Sequence, residues 1–320
     1  MAQTRGDVLV TGAAGFIGSH IAAACNRSGW TVTGLDIRPV PPGPHCQHWV
    51  CGAADDPVVL REIRGGRYQA VVHQAAITST LETDEALLKD VNVAQPLAIA
   101  DACAAGQAAF VYASSHSVYG NVHQRVPLAE EAVSDEAMCT GPLNLYAQSK
   151  LDLDNAMAVR PAGSLRWAGL RYTNVFGPGE QHKGKMASII SQLLRQTARG
   201  EQVTLFDDTL EACRDYVPVG SVAATIAVVL DRQIPAGVYN LGSGIPVSFA
   251  TILEWCASLA GADPAVRFRP NPVATKYQYW TCADMTKLET CLADFRRLTL
   301  AEVRSAAGRL YRCFLDSKCR

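Results

Sequence analysis

Val8-Leu9-Val10-Thr11-Gly12-Ala13-Ala14-Gly15-Phe16-Ile17-Gly18 is the stretch on which the fold turns. A short apolar run ends in a glycine-rich turn, and the turn opens a helix that is predicted to continue to about Ser28. Strand, turn and helix in that order are what a dinucleotide site requires. Glycines let the backbone approach a pyrophosphate closely, and free N–H groups at the helix N-terminus face it. Gly12, Gly15, Phe16, Ile17 and Gly18 are therefore taken as cofactor contacts. The spacing is Gly-x-x-Gly-x-x-Gly, not the more widespread Gly-x-Gly-x-x-Gly, and the competing reading is a turn that serves packing alone.

The next apolar run, Thr31-Val32-Thr33-Gly34-Leu35, ends at Asp36. An acidic residue roughly 20 positions beyond the turn is where a ribose hydroxyl is held, which favours NAD. Arg38 offers a guanidinium to a 2′-phosphate instead and keeps NADP open; otherwise it is a solvated loop charge. Ile37 lies between them and is grouped with the cofactor contacts. Pro39–Pro44 reads as a stiff surface loop.

Further apolar runs follow at Trp49-Val50, Ala70–His73 and Phe110–Ala113, with helical stretches near Val58–Arg64 and Glu85–Ala105 between them. Alternation of strand and helix calls for an α/β fold with a Rossmann-like, doubly wound parallel sheet. Ala75, just past the fourth strand, and Asn92, on the helix after it, are added to the cofactor contacts. The alanine-rich segment Asn92–Ala105 is apolar on more than one face and suits a partner subunit, so a homo-oligomer is expected. Another helix runs from near Tyr146 to about Val159, and a strand spans Ala168–Tyr172. Residues 1–175 are assigned to the dinucleotide-binding domain, with a return segment at about 216–242 built on Val222–Leu230 and Gly237–Leu241. A smaller, interleaved C-terminal substrate lobe takes the rest of 176–320, with a helix at Met186–Arg199 and strands at Gln202–Phe206 and Arg214–Pro218.

With 320 residues, 48% hydrophobic and 18% charged, the chain has the composition of a soluble globular protein with a sizeable core. A formal net charge of −1 excludes a broad nucleic-acid surface. Eleven cysteines without a Cys-x-x-Cys pair or zinc spacing imply reduced thiols in a cytoplasmic protein, with no metal site. Met1–Asp7 leads directly into the first strand with no signal-peptide pattern. No apolar run reaches the ~20 residues that span a bilayer, so no membrane partner is expected.

Chemistry collects at Tyr146-Ala147-Gln148-Ser149-Lys150. A tyrosine and a lysine four residues apart on a helix share one face, and the ammonium can hold down a phenol pKa normally near ~10. Alone the pair is weak, equally a snorkelling lysine beside a half-buried tyrosine. Ser114-Ser115-His116-Ser117-Val118-Tyr119-Gly120 adds a hydroxyl at a strand end, where it could bond both a substrate alcohol and the Tyr146 phenol.

Serine, tyrosine and lysine behind a dinucleotide turn resemble the extended short-chain dehydrogenase/reductase superfamily over essentially the whole chain. The resemblance implies that Ser115 orients the alcohol, Tyr146 is general base and acid, and Lys150 holds the ribose. A narrower resemblance lies in Gly179-Glu180-Gln181-His182-Lys183-Gly184-Lys185-Met186-Ala187-Ser188, which looks like the His-Lys-Gly-x-Met-Ala-Ser signature of ADP-glycero-manno-heptose 6-epimerases. Thr78-Ser79-Thr80 with Glu82, Leu205-Phe206 through Arg214-Asp215-Tyr216-Val217, and Lys276-Tyr277-Gln278 with Ala283-Asp284 fit the same family in order. It implies a nucleotide-diphospho-sugar substrate and Lys183 as a second acid/base, because inverting a carbinol needs a proton carrier for each face of the intermediate ketone. Among sugar and nucleotide contacts it implies Ser79, Ser115, His116, Asn174, His182, Met186, Phe206, Arg214 and Tyr277, with Asn174 and Arg214 on the diphosphate or ribose and Tyr277 closing over the sugar.

Departures stand beside the matches. His116 replaces a small residue, Ala53 an aspartate for the adenine amine, and Pro218 and Ser221 more polar residues; Glu82 lacks the aromatic expected after it. The reading is therefore an NAD(P)-dependent epimerase acting at C6 of a nucleotide-linked heptose or octose, the alanine- and arginine-rich composition suiting antibiotic biosynthesis. The alternative is a 4-epimerase using Ser115, Tyr146 and Lys150. A 4,6-dehydratase is disfavoured because His116-Ser117 stands where such enzymes carry Asp-Glu. A non-catalytic dinucleotide sensor would have no use for a poised phenol.

Overall fold

A computed structural model describes residues 5–39, 45–232, 234–292 and 295–316. The expected proline loop therefore lies, apart from Pro39, outside the described residues, as does the segment 1–4. The chain begins with strand β1 (Asp7–Thr11), helix α1 (Phe16–Arg27), β2 (Thr31–Asp36), β3 (His48–Cys51), α2 (Pro57–Arg64) and β4 (Ala70–His73). Next come α3 (Glu85–Lys89), α4 (Gln95–Gly106), β5 (Ala109–Ser115), α5 (Leu145–Ala158), β6 (Trp167–Tyr172) and β7 (Asn174–Phe176). The remainder holds α6 (Ile189–Ala198), β8 (Val203–Phe206), β9 (Cys213–Pro218), α7 (Val219–Asp231), β10 (Gly237–Leu241) and β11 (Pro246–Ser248). It closes with α8 (Phe249–Ala260), β12 (Val266–Arg269), α9 (Thr286–Cys291) and α10 (Leu300–Leu315).

Seven parallel strands form the main sheet in the order β10-β6-β5-β4-β1-β2-β3. Strands buried on both faces read as unbroken apolar runs, and the two-residue alternation sends their side chains to opposite layers. Val8, Val10, Val32 and Val72 meet α1 and α7 on one face, while Leu9, Val71, Phe110 and Tyr112 meet α2, α4 and α5 on the other. The order reverses direction between β1 and β4, so a crevice opens at their carboxyl ends. A third core joins α6, α8 and α10 around Phe176, Leu194, Tyr216, Trp255 and Leu310.

The helix predicted over Glu85–Ala105 is broken by a π-helical turn, Asp90–Ala94. Pro96 has no N–H to give the carbonyl of Asn92, so the regular ladder fails there. The wider turn brings the Asn92 side chain inward, where it donates to the Ile77 carbonyl (2.9 Å) and Ser149 Oγ (3.0 Å) and accepts from the Ile77 N–H (2.9 Å). The helix predicted from Met186 starts instead at Ile189, because Glu180–Met186 forms a 3₁₀ turn kinked at Gly184 (φ 55°). Beyond residue 243, β11, β12 and α8–α10 carry no assignment in the sequence reading and are supplied by the structure.

One buried carboxylate ties distant segments together. Asp215, on β9, accepts from Ser243 N–H (2.7 Å), Ser243 Oγ (2.6 Å), Gly244 N–H (3.0 Å), Ala283 N–H (3.0 Å) and Thr173 Oγ (3.3 Å). Burial raises its pKa, and these donors pull it back. Asp215→Asn would set an amide NH₂ against one or two of these backbone donors. It is expected to lower stability by roughly 3 kcal/mol, read by thermal or denaturant unfolding; an unchanged melting temperature would show that the carboxylate is not the tie.

Candidate active site

The crevice is a cavity of about 760 Å³ running from the glycine turn to the carboxyl ends of β5 and β6. At its floor Thr11 Oγ accepts from the N–H groups of Gln74 and Ala75 (both 3.2 Å). Its own proton is then free for His73 Nδ1 at 2.9 Å, which burial keeps neutral with a pKa of about 3. A side chain at Gly12 (φ 65°) would lie 2.8 Å from the Ala75 backbone nitrogen, and one at Gly18 only 2.1 Å from the Gly12 carbonyl oxygen. The turn thus packs too closely for any Cβ and leaves a bare backbone cradle at the start of α1, as a pyrophosphate needs.

At the far end of the cradle Asp36 accepts from the Ala14 N–H (3.0 Å) and from Arg38 through its N–H (3.0 Å) and Nε (3.3 Å). The guanidinium expected to receive a 2′-phosphate is turned back onto Asp36, whose negative charge would repel that phosphate. A carboxylate that keeps free lone pairs still suits two ribose hydroxyls, so the residues fit NAD better than NADP. Ile37, 77% exposed, and Ala75 border the same cavity, whereas Asn92 does not. Its amide is spent on holding the loop at Ile77.

Asn144 caps α5 by accepting from the Ala147 N–H at 2.9 Å, which sets the first turn and with it Tyr146. Ser115, Tyr146 and Lys150 all line the cavity. Lys150 donates to the Ala113 carbonyl (2.9 Å) and lies 6.0 Å from the centre of the Tyr146 ring. Burial raises the phenol pKa, and a hydrogen bond from Ser115 is what opposes the rise. The Lys150 ammonium is committed to the Ala113 carbonyl beside the ring. Burial also brings Lys150 down to about 8, against the pull of Asp154 one turn on. Asp154 in turn accepts from Arg171 Nε (2.8 Å), Ser114 Oγ (2.9 Å) and the Tyr112 hydroxyl (3.0 Å), an ionic cluster directly under the site.

Lys183 reaches the same cavity from the 3₁₀ turn, its Nζ 5.4 Å from the centre of the Phe16 ring. Burial lowers its pKa, which suits proton exchange, and Glu180 opposes the change. Glu180 holds the turn by accepting from Ser188 Oγ (2.9 Å), the Ser188 N–H and Ser191 Oγ. Met186 and Asn174 also border the cavity, and Asn174 Nδ2 donates to Thr281 Oγ (3.2 Å) and the Asp215 carbonyl (3.3 Å).

Other expected contacts lie apart. Ser79 serves the loop, accepting from the Leu81 N–H at 3.2 Å, while Thr78 and Thr80 face the cavity; His182 is exposed. Phe206, Arg214 and Tyr277 form their own cluster in the C-terminal part, with Tyr277 edge-on to Phe206 at 5.9 Å and the Arg214 guanidinium 5.2 Å from the Tyr277 ring centre. His116 differs most from expectation. It borders the cavity, but both ring nitrogens are shielded and, among the described residues, without a partner, and the ring packs on Tyr119 at 4.6 Å. Burial lowers its pKa to about 4, outweighing the Cys282 carbonyl, which falls short of hydrogen-bond geometry. As placed, the imidazole is a neutral wall and touches nothing in the cavity through nitrogen.

Sequence reasoning passed over Gln74, Ser117, Gln278 and Thr281, all of which line the cavity. Gln278 donates to the Gly120 carbonyl at 2.7 Å and so closes the C-terminal segment over the catalytic loop. Gln278 stands inside the Lys276-Tyr277-Gln278 match and Ser117 inside the Ser114–Gly120 stretch, which are the available signals; Gln74 and Thr281 carry none.

Residues 8–242 match the NAD dependent epimerase/dehydratase family, and the chain belongs to it. Its description makes NAD the cofactor. Solved structures agree. MoeE5 bound to UDP-glucose and NAD shares 28% identity over 96% of this chain and 99% of its own, with a TM-score of 0.79. ADP-L-glycero-D-manno-heptose-6-epimerase of Helicobacter pylori shares 26% over 97% and 96%, with a TM-score of 0.83. UDP-glucose 4-epimerase of Thermus thermophilus in complex with NAD shares 27% over 96% and 99%, with a TM-score of 0.76. No helix among the described residues is long and apolar enough to cross a membrane, and no group of three or more acidic, histidine or cysteine side chains is placed to hold a metal.

Lys150 also sets a pH signature of the protein without ligands. With a folded pKa of about 8, below the unfolded value near ~10.4, it binds fewer protons folded than unfolded between those limits. Its unfavourable contribution is full below about 8 and fades as pH rises, so stability climbs from pH 8 toward ~10. Lys150→Met is expected to abolish that climb in melting curves taken across this window; parallel curves for the two proteins would assign it to another group.

Proposed function

We propose that the protein is an NAD-dependent nucleotide-diphospho-sugar epimerase that inverts C6 of a nucleotide-linked heptose or octose. The observation that carries the reading is that two acid/base side chains of different origin, Tyr146 from α5 and Lys183 from the 3₁₀ turn, share one cavity with the glycine turn. When bound, NAD supplies reversible oxidation at the carbinol carbon, so the reaction ends without net redox change. Tyr146 takes the hydroxyl proton on one face, with Ser115 bonded to the same oxygen. Lys183, made more acidic by burial, supplies the proton on the other face. Arg214 gives a diphosphate a buried cation whose one hydrogen-bond acceptor among the described residues is the neighbouring Cys213 carbonyl (3.1 Å). The pocket is closed by Asn174, Thr281 and Gln278.

A second reading is supported by the similarity to UDP-glucose 4-epimerase of Thermus thermophilus: inversion at C4, which uses Ser115, Tyr146 and Lys150 and leaves Lys183 without a task. One experiment separates the two. A panel of ADP-, GDP- and UDP-linked hexoses, heptoses and octoses is incubated in heavy water and followed by NMR. Inversion at C6 of a longer sugar is expected, with the original hydrogen kept on that carbon, since it is removed and returned without meeting solvent. A C4-inverted hexose as the product would overturn the assignment.

Substitutions probe the two bases. Tyr146→Phe is expected to lower kcat by about 10²–10⁴-fold, and Lys183→Ala by a similar factor for the C6 reaction. Full turnover by Lys183→Ala would sink the two-base mechanism.

A further inference from the structure

Residues 113–117 alternate in exposure: Ala113, Ser115 and Ser117 are half-buried, Ser114 and His116 are buried, and all five border the cavity. The two half-buried serines are not independent. Ser115 Oγ lies 2.8 Å from Ser117 Oγ and also accepts from the Ser117 N–H at 3.2 Å.

We propose that Ser117 is a positioning residue that makes Ser115 an obligate hydrogen-bond donor toward the reacting oxygens. This rests on the reading of Ser115 and Tyr146 as the proton-handling pair. A serine hydroxyl has one proton and two acceptor lone pairs. The Ser117 N–H occupies one lone pair permanently. When the Ser117 hydroxyl donates as well, the second lone pair is filled, and Ser115 can only donate. Its proton then points at the Tyr146 phenolate or at the substrate oxygen, stabilising negative charge on either. If Ser117 could not donate, Ser115 would keep a free lone pair and accept from the Tyr146 hydroxyl, which favours the neutral phenol. Ionisation of Tyr146 is therefore matched by reorientation of two hydroxyls: Ser115 turns from Ser117 to the phenolate, and Ser117 turns toward Ser115. No covalent bond other than the phenol O–H changes, and that proton leaves for the substrate or solvent.

The test uses Ser117→Ala and Ser117→Thr with the enzyme saturated in NAD. Tyrosinate absorbance is titrated in each and corrected with the corresponding Tyr146→Phe background, a readout that needs no sugar. Ser117→Ala is expected to move the Tyr146 midpoint upward by about half to one pH unit, and Ser117→Thr, which keeps the hydroxyl, to restore it. On a turned-over sugar, kcat should fall about 3- to 10-fold in Ser117→Ala with KM little changed. A Ser117→Ala midpoint equal to wild type overturns the proposal, and so does a Ser117→Thr midpoint displaced as far as that of Ser117→Ala. A displaced midpoint in a protein that converts no sugar of the panel would uphold the positioning role and dismiss the epimerase reading.

Discussion

The Asp215 carboxylate is the constraint on which the site geometry depends. A buried anion is tolerable only when donors surround it, and here they come from three places far apart in the chain: Thr173 after β6, Ser243 and Gly244 after β10, and Ala283 before α9. The same residues border what the cavity needs. Arg214 precedes Asp215, Asn174 follows Thr173 and bonds the Asp215 carbonyl, and Thr281 bonds the Asp215 N–H at 3.1 Å. Cofactor-side and C-terminal walls are thus registered to one atom group, not to a broad apolar interface.

A second ionic cluster lies beneath the catalytic helix. Arg171 and Asp154 are almost fully buried, and Arg171 is further held by the Tyr119 hydroxyl (2.9 Å) and the Glu130 carbonyl (2.8 Å). Such a pair adds little net stability, yet removing either member would strand a charge in the core. Its placement is what matters. Asp154 is one turn from Lys150, so a lysine that burial would otherwise discharge retains a negative neighbour. The lysine's state and the packing of β5, β6 and α5 are therefore coupled.

Much of the fold was legible because its signals are local. Val8–Gly18 fixes the first strand, turn and helix by period and glycine spacing, and the remaining strands of the sheet show as short apolar runs bounded by helices. The break at Asp90–Ala94 had a signal in Pro96 that a continuous-helix reading overlooked. Thr299-Leu300-Ala301-Glu302 is likewise a readable capping box for α10, present with both of its hydrogen bonds. In the site, Ser115, Tyr146, Lys150 and Lys183 sit on motifs, and all four border the cavity. Gln74 and Thr281 were not legible, since only tertiary approach brings them to the cavity. His116 shows the limit from the other side: its neighbour's motif suggested a contact, whereas the direction of its ring depends on Tyr119 and on burial. The same holds for Arg38, whose pairing with Asp36 cannot be read from two positions in a loop.

The sheet order has a consequence for biosynthesis. β6 is buried on both faces in the finished protein, yet its outer neighbour β10 is encoded some 70 residues later, at Gly237–Leu241. Until that segment has left the ribosome, Trp167–Tyr172 is an open edge of a largely apolar strand, able to pair with any other nascent chain. The intervening residues build β7–β9 and α6–α7, and closure waits for all of them. Translation through this interval is thus a period in which an unpaired strand edge is open to aggregation.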